Sequence, residues 1–373
     1  MLFSKIYGAG EVKKSLVKAI QNNHVAHAQL FYGLEGSPNL AMALAFATFI
    51  NCENKSSTDS CGTCPSCQKM TKLIHPDVHF VYPAYKKASK EQDKHKSELA
   101  IRWRANVIEN PYRNLSEWSH QIDAENKQCI ISVDDAREIV KGVSLKAFEG
   151  EYKIIIIWLP ELMNVSAANS ILKVLEEPPQ KTLFLLVTND LNKNLTTILS
   201  RCQVVQVPKS EDEDTVQFLT DTFQISNEEA QRIALLCEGN LNQASKMAQD
   251  TGGAERDYFK NWMRMCYAVN YAALIKLADE FSKKSKEFQK GLMLEGINIM
   301  RSLLMYHVEL NSLMRIPEDE KEFVQKFSKI VTEEKLDDIS AMLDDAFYHL
   351  ERNANAKITF FDLSLNLAKT LRG

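Results

Sequence analysis

Apolar positions fall into two regimes along this chain. Up to about residue 208, short unbroken apolar runs alternate with stretches in which apolar residues recur every three or four positions. The periodic stretches EVKKSLVKAIQNN (11–23) and LAMALAFATFIN (40–51) predict helices, as do Val133 to about Val143 and Asn164 to Glu177, the last stopped by Pro178 and Pro179. The unbroken runs QLFYG (29–33), VHFVYP (78–83), CIISV (129–133), KIIIIWLP (153–160), LFLLVTN (183–189) and QVVQV (203–207) predict strands. KIIIIWLP is too apolar for an edge, and strands separated by helices imply a parallel sheet covered on both faces. Beyond Pro208 the strand signal stops and only helical periodicity remains. Ser226 with Glu229 forms a capping-box start, Gly239 a helix stop, and Thr251-Gly252-Gly253 suits a linker. The expected organisation is an α/β domain over 1–207 with an irregular polar insert at 84–127, a small helical domain over 208–250, and a larger all-helical domain over 254–373. No internal repeat is present.

Composition changes this picture little. The 373 residues are 45% apolar and 25% charged, with a net charge of −4, which argues against a nucleic-acid footprint along the whole chain. No apolar run reaches the roughly 18 residues needed to span a bilayer, and MLFSKIYGAG lacks the order of a signal peptide. A cytoplasmic location without membrane contact is therefore expected. Between Lys86 and Arg104 there are seven Lys or Arg against three Asp or Glu, with Trp103 among them and Trp118 further on. Such a stretch reads as a nucleic-acid or partner surface, or as a solvated face.

The eight cysteines are unlikely disulfide partners in a reducing compartment, so the clustered ones point to metal or redox chemistry. Cys52, Cys61, Cys64 and Cys67 read C-x8-C-x2-C-x2-C, with Gly62 and Pro65 as turn residues. Four thiolates close a tetrahedral Zn²⁺ site and leave no position for water, so the expected role is structural. Reduced cysteines without metal, or an iron–sulfur cluster, are the alternatives. His75 is expected to be a loop residue, and Cys129, Cys202, Cys237 and Cys266 to be buried in the core.

Residues Gly33, Leu34, Glu35, Gly36, Ser37, Pro38, Asn39 and Leu40 follow the first strand in the place and with the length of a phosphate-binding loop. A working loop needs inward N–H groups, a Lys on the phosphates and a Ser or Thr on Mg²⁺. Here Pro38 lacks an N–H, Asn39 and Leu40 stand at the Lys and hydroxyl positions, and Glu35 adds negative charge. At the end of KIIIIWLP, where acids would hold Mg²⁺ and polarise water, stand Trp158 and Leu159. Glu161 lies past Pro160 and is a poor substitute. The expectation is a degenerate site with neither ATP hydrolysis nor ATP as a cofactor.

With HAQLFYG (27–33), the cysteine module after the loop helix, AANSILKVLEEPP (167–179), LFLLVTN, Ser200-Arg201-Cys202, GNLNQA (239–244) and NANAKI (353–358), the chain resembles the delta-prime family of bacterial DNA polymerase III clamp-loader subunits. That resemblance implies an AAA+ fold: a RecA-like α/β domain with a zinc insert, a helical lid and an all-α collar. It also implies a non-hydrolysing stator in a hetero-pentamer with gamma/tau ATPase subunits and a delta subunit, acting on the sliding clamp and primed DNA. Arg201 is then the arginine that reaches the neighbouring subunit's ATP, its planar fork suiting phosphate oxygens. Ser200 and Cys202 become positioning residues. Asn242 stands where active relatives carry an arginine on their own nucleotide, Thr188-Asn189 keeps a polar position with nothing to sense, and Lys173 is a candidate DNA-backbone contact. Competing expectations are an active AAA+ ATPase with a divergent site, which would turn over ATP alone, and a zinc-dependent DNA-binding module.

Overall fold

The computed structural model describes residues 1–85, 92–125, 127–144, 146–249, 254–308, 318–352 and 354–372. The expected linker at Thr251-Gly252-Gly253, part of the basic stretch (Lys86, Lys87, Lys90) and Asn353 of NANAKI lie outside the described residues. The chain divides into two compact units, Met1–Thr222 with Cys237–Lys246, and Phe223–Leu236 with Met247–Gly373.

The first unit is built on a parallel sheet of five strands: β1 (Ala28–Tyr32), β2 (Val78–Val81), β3 (Lys153–Trp158), β4 (Thr182–Thr188) and β5 (Gln203–Gln206), in the order β2-β3-β4-β1-β5. Register aligns Val204, Leu30, Leu186, Ile157 and Val81 in one row across the sheet. The central strands β3 and β4 are apolar except at their ends, Lys153, Thr182 and Thr188, because both faces are covered. On one face Leu30, Ile155, Ile157, Phe184 and Leu186 pack with Ile139 of a helix at Val133–Val143 and with Ala167, Ile171 and Leu175 of a helix at Val165–Glu176. Asn39–Ile50, buried at all twelve positions, is a helix whose Phe46 ring lies 6.1 Å from that of Phe31. A helix apolar all round is a core helix, which explains its run of small residues.

In chain order the helices are α1 (Gly10–Gln21), α2 (Asn39–Ile50), α3 (Pro65–Thr71), α4 (Gln92–Glu109), α5 (Leu115–Gln121), α6 (Val133–Val143), α7 (Val165–Glu176), α8 (Thr196–Leu199), α9 (Asp212–Phe223), α10 (Asn227–Cys237) and α11 (Leu241–Gln249). The expected α/β fold with a parallel sheet is present, as is the all-helical C-terminal part. Two expectations are corrected. CIISV is not a strand of the sheet: Ile130 bridges Ala84, Ile131 bridges Met163, and Ser132 then caps α6 in a capping box, so no run of residues shares one partner strand. The insert at 84–127 is not irregular. It carries α4, with Leu99, Trp103 and Val107 buried at four-residue spacing, and α5, opened by a capping box of Asn114 and Glu117.

The second unit contains α10 and the helices α12 (Ala254–Tyr267), α13 (Tyr271–Ser282), α14 (Lys286–His307), α15 (Glu318–Phe327), α16 (Glu333–Glu351) and α17 (Ala356–Arg372). Its core is tied by Phe360, stacked on Trp262 at 4.4 Å and on Phe281 at 4.2 Å, with the Trp262 indole N–H donating to Ser364 Oγ at 2.8 Å. Among the described residues no helix is long and apolar enough to cross a membrane.

Candidate functional site

The carboxyl ends of β1, β3 and β4 lie side by side, the edge at which open parallel sheets bind ligands. The loop after β1 occupies it with its own hydrogen bonds. Gly33 N–H donates to Thr188 O at 3.2 Å and Ser37 N–H to Leu34 O at 2.9 Å, while Pro38 has none to offer. Asn39, 5% exposed, shares its amide N–H groups among Gly33 O at 3.3 Å, Thr188 O at 3.1 Å and Asn189 Oδ1 at 2.9 Å. Its Oδ1 accepts from Leu40 N–H. Where a lysine would extend outward, this side chain ties the loop to the end of β4.

Gly36 has φ +78°, and a Cβ there would stand 1.8 Å from Asn240 Oδ1, so only glycine fits. Its carbonyl accepts Leu241 N–H at 2.9 Å. Thr188 is not left without a partner. Its hydroxyl donates to Glu161 Oε2 at 3.0 Å and accepts from Asn194 Nδ2 at 2.9 Å. Burial holds the Glu161 carboxyl above the usual carboxylate range.

At the end of β3, Trp158 and Leu159 are each 4% exposed, with Leu159 at φ +56°. Trp158 faces a cluster of rings contributed by the insert. Trp103 of α4 lies 5.0 Å from Trp158, stacks on Tyr82 at 4.5 Å and meets Trp118 of α5 edge-on at 5.2 Å. The Trp118 indole N–H donates to Pro83 O at 2.7 Å. The end of β3 is thus inside an apolar aromatic cluster, where an ionised carboxylate and a bound cation would both be desolvated.

The insert also meets the loop and α11. Asn114 Nδ2 donates to Glu35 Oε1 at 2.6 Å, Asn110 Nδ2 to Asn242 Oδ1 at 3.1 Å, and Asn242 Nδ2 to Glu117 Oε2. Lys246 lies 3.2 Å from Glu117 Oε1. Sequence reading missed these insert residues. The four-residue apolar spacing of α4 and the Asn114/Glu117 box were signals for the helices, but nothing local said what they pack against.

Arg201 lies elsewhere, just after α8. Its Nε and Nη2 both donate to Glu176 Oε2, at 3.1 and 3.0 Å, and its Nη1 donates to Thr197 O at 3.0 Å. Nη1 also lies 3.4 Å from Ser200 Oγ. Both partners are partly exposed, so the pair contributes about 0–1 kcal/mol and a competing phosphate can displace it. Lys173 is exposed on the same helix.

The structure brings Cys52, Cys61, Cys64 and Cys67 together, their sulfurs all within 4.8 Å of one another. Sγ separations of 3.6 Å (Cys52 to Cys61) and 3.9 Å (Cys61 to Cys67) match the ~3.8 Å edge of a tetrahedron with Zn–S bonds of about 2.3 Å. Backbone N–H groups of Cys61, Cys64 and Cys67 donate to the sulfurs of Cys52, Cys61 and Cys64, while burial pushes the Cys52 and Cys67 thiols up. N–H groups of Thr63 and Cys64 pull Cys61 down to about 6. The donor set fits Zn²⁺. Gly62, at φ +72°, makes the turn between ligands, and Asp59 accepts Phe3 N–H at 3.0 Å and Ser4 N–H at 2.8 Å, docking the first residues on the module. Elemental analysis of the purified chain is expected to find about one zinc per chain, reduced in Cys64→Ser; well under one in the unsubstituted chain contradicts the assignment. His75 is buried beside Glu149 and outside the cluster, and the other four cysteines are scattered.

Residues 8–211 match the model of a family described as DNA polymerase III, delta subunit. The DNA polymerase III subunit tau of Bacillus subtilis is 24% identical over 326 residues, covering 82% of this chain and 50% of that protein. The DNA polymerase III subunit delta' of Pseudomonas aeruginosa is 30% identical over 177 residues, covering 48% of this chain and 42% of that protein. The chain spans half or less of the length of these two relatives. Among solved structures, a DNA polymerase III gamma subunit-related protein of Thermotoga maritima aligns with a TM-score of 0.41 and 16% identity, over 96% of this chain and 99% of that one.

Proposed function

The chain belongs to the family of DNA polymerase III delta subunits, and on that premise we propose that it is a clamp-loader subunit of the delta-prime kind, which hydrolyses no ATP itself and lends Arg201 to a neighbour. The observation that carries the first half is the aromatic cluster around Trp158, which occupies the place of a metal-binding acid pair. Asn39, tied down at the lysine position, supports it independently. Phosphoryl transfer needs a phosphate cradle and a metal site together, and side chains of this protein stand in both.

The second half rests on chemistry. A guanidinium offers a planar, permanently charged fork, and the partly exposed Glu176 carboxylate that Arg201 pairs with is a weak contact that phosphate oxygens can replace. The partners that fit are gamma/tau-type ATPase subunits and a delta subunit in a five-membered ring, with the sliding clamp and primed DNA engaged through the assembly. In this reading Zn²⁺ on Cys52, Cys61, Cys64 and Cys67 is structural, 208–250 serves as a lid and 254–373 as a collar, and the assembly works in the cytoplasm. The test is ATP turnover by a loader reconstituted with Arg201→Ala against the unsubstituted chain.

A further inference from the structure

We propose that residues 110–118 of the insert are a built-in ligand, filling the cleft between the loop at 33–38 and the segment at 239–246 and holding the two together without a nucleotide. Glu117 supplies the anion. One carboxylate oxygen accepts from Asn242 Nδ2 and from Asn114 N–H at 3.1 Å, and the other lies 3.2 Å from Lys246 Nζ. Asn110 engages the same Asn242 from its other side, and Asn114 reaches the loop at Glu35. Asn242 is 3% exposed, so its own contacts to Asn110 and Glu117 are partly shielded from water and worth more than the same contacts at the surface.

The insert cannot slide out of this position, because it is anchored by apolar packing on two sides. Trp103 and Trp118 lock it to the end of β3, and Tyr112, buried, meets Phe218 of α9 edge-on at 5.5 Å. Between these anchors the polar residues face a loop and a helix start that touch each other directly through Leu241 N–H to Gly36 O. A bound nucleotide spends binding energy on joining a phosphate loop to a helical segment; here the joining groups are covalently part of the chain and pay no association entropy. The 239–246 segment is therefore fixed at all nucleotide concentrations, which suits a subunit that stays in one conformation while its neighbours cycle.

Amide hydrogen exchange of the full chain tests this, with Leu241 N–H as reporter. Asn242→Ala combined with Lys246→Ala removes three of the contacts at positions on α11, where alanine is the best helix former. Leu241 is expected to exchange about tenfold faster, with β1, β3 and β4 amides unchanged. Glu117→Gln keeps an acceptor for the Asn114 cap and loses the charge facing Lys246, with about a threefold rise expected; it decides the matter if the double variant loosens the strands as well. Leu241 exchange within about twofold of the unsubstituted chain in Glu117→Gln and in a folded double variant overturns the proposal. Millimolar Mg-ATP is expected to leave Leu241 unchanged in the unsubstituted chain, and slowing of about tenfold there also overturns it. These outcomes are independent of whether Arg201 acts on a neighbour, so failure of one reading leaves the other standing.

Discussion

Replacing Arg201 with alanine is expected to lower ATP turnover at the neighbouring subunit's site by about 10³-fold or more, the range that a trans arginine contributes in related phosphoryl-transfer sites. Charge on the transferring phosphoryl oxygens is met by the guanidinium, and alanine leaves it to water. Lysine offers a point charge without the fork and is expected to recover only a small part of the loss. Arg201 stands at the surface after α8, and nothing in the core depends on it, so the variant should fold and assemble as the original does. Glu176→Gln separates positioning from chemistry: losing one partly exposed ion pair is expected to change turnover by about threefold at most. Phosphate release by the reconstituted assembly on primed DNA is the measurement, and unchanged turnover with Arg201→Ala contradicts the finger assignment.

The second large effect concerns the aromatic cluster. Trp103→Ala is expected to destabilise the first unit by about 3–5 kcal/mol, the cost of removing a large buried side chain and leaving a cavity that surrounding rings cannot fill. Trp103 is 2% exposed and contacts Tyr82, Trp118 and Trp158 at once, so its loss undoes the packing of α4 and α5 on the sheet. Its indole N–H has no hydrogen-bond partner among the described residues. Trp103→Phe keeps a ring in the stack and removes that N–H, and it is expected to cost less than half as much. Urea unfolding followed by far-ultraviolet circular dichroism compares the two. A cost below about 1 kcal/mol for the alanine variant would mean that the insert is not anchored on β3.

Much of the sheet was legible because its signal is local. KIIIIWLP and LFLLVTN are apolar at consecutive positions only because both faces are buried, and the structure places them as central β3 and β4. CIISV has the same composition and is not a strand, since its residues bridge Ala84 and Met163 separately; pairing partners are a long-range property that composition does not carry. The clustering of the four cysteines was legible from spacing, because residues close together on one short stretch of chain can converge without long-range contacts. The insert was not. Lysines around it suggested a solvated or nucleic-acid-facing surface, yet Trp103 turns inward to Trp158, more than thirty positions further along the chain, and Trp118 packs on Trp103. Likewise the sequence singled out Asn39 and Asn242, but their partners, Thr188 and Glu117, are set by tertiary contact.

Under the proposed function the nucleotide site of this chain is filled by its own side chains: Asn39 in the loop, aromatic rings at the end of β3, and Glu117 facing Asn242 and Lys246. Titration calorimetry of the purified chain with Mg-ATP, alongside an assay for phosphate release, tests it most directly. No saturable binding below millimolar ATP and no phosphate release are the expected results. Micromolar binding with steady turnover by the chain alone would contradict the claim.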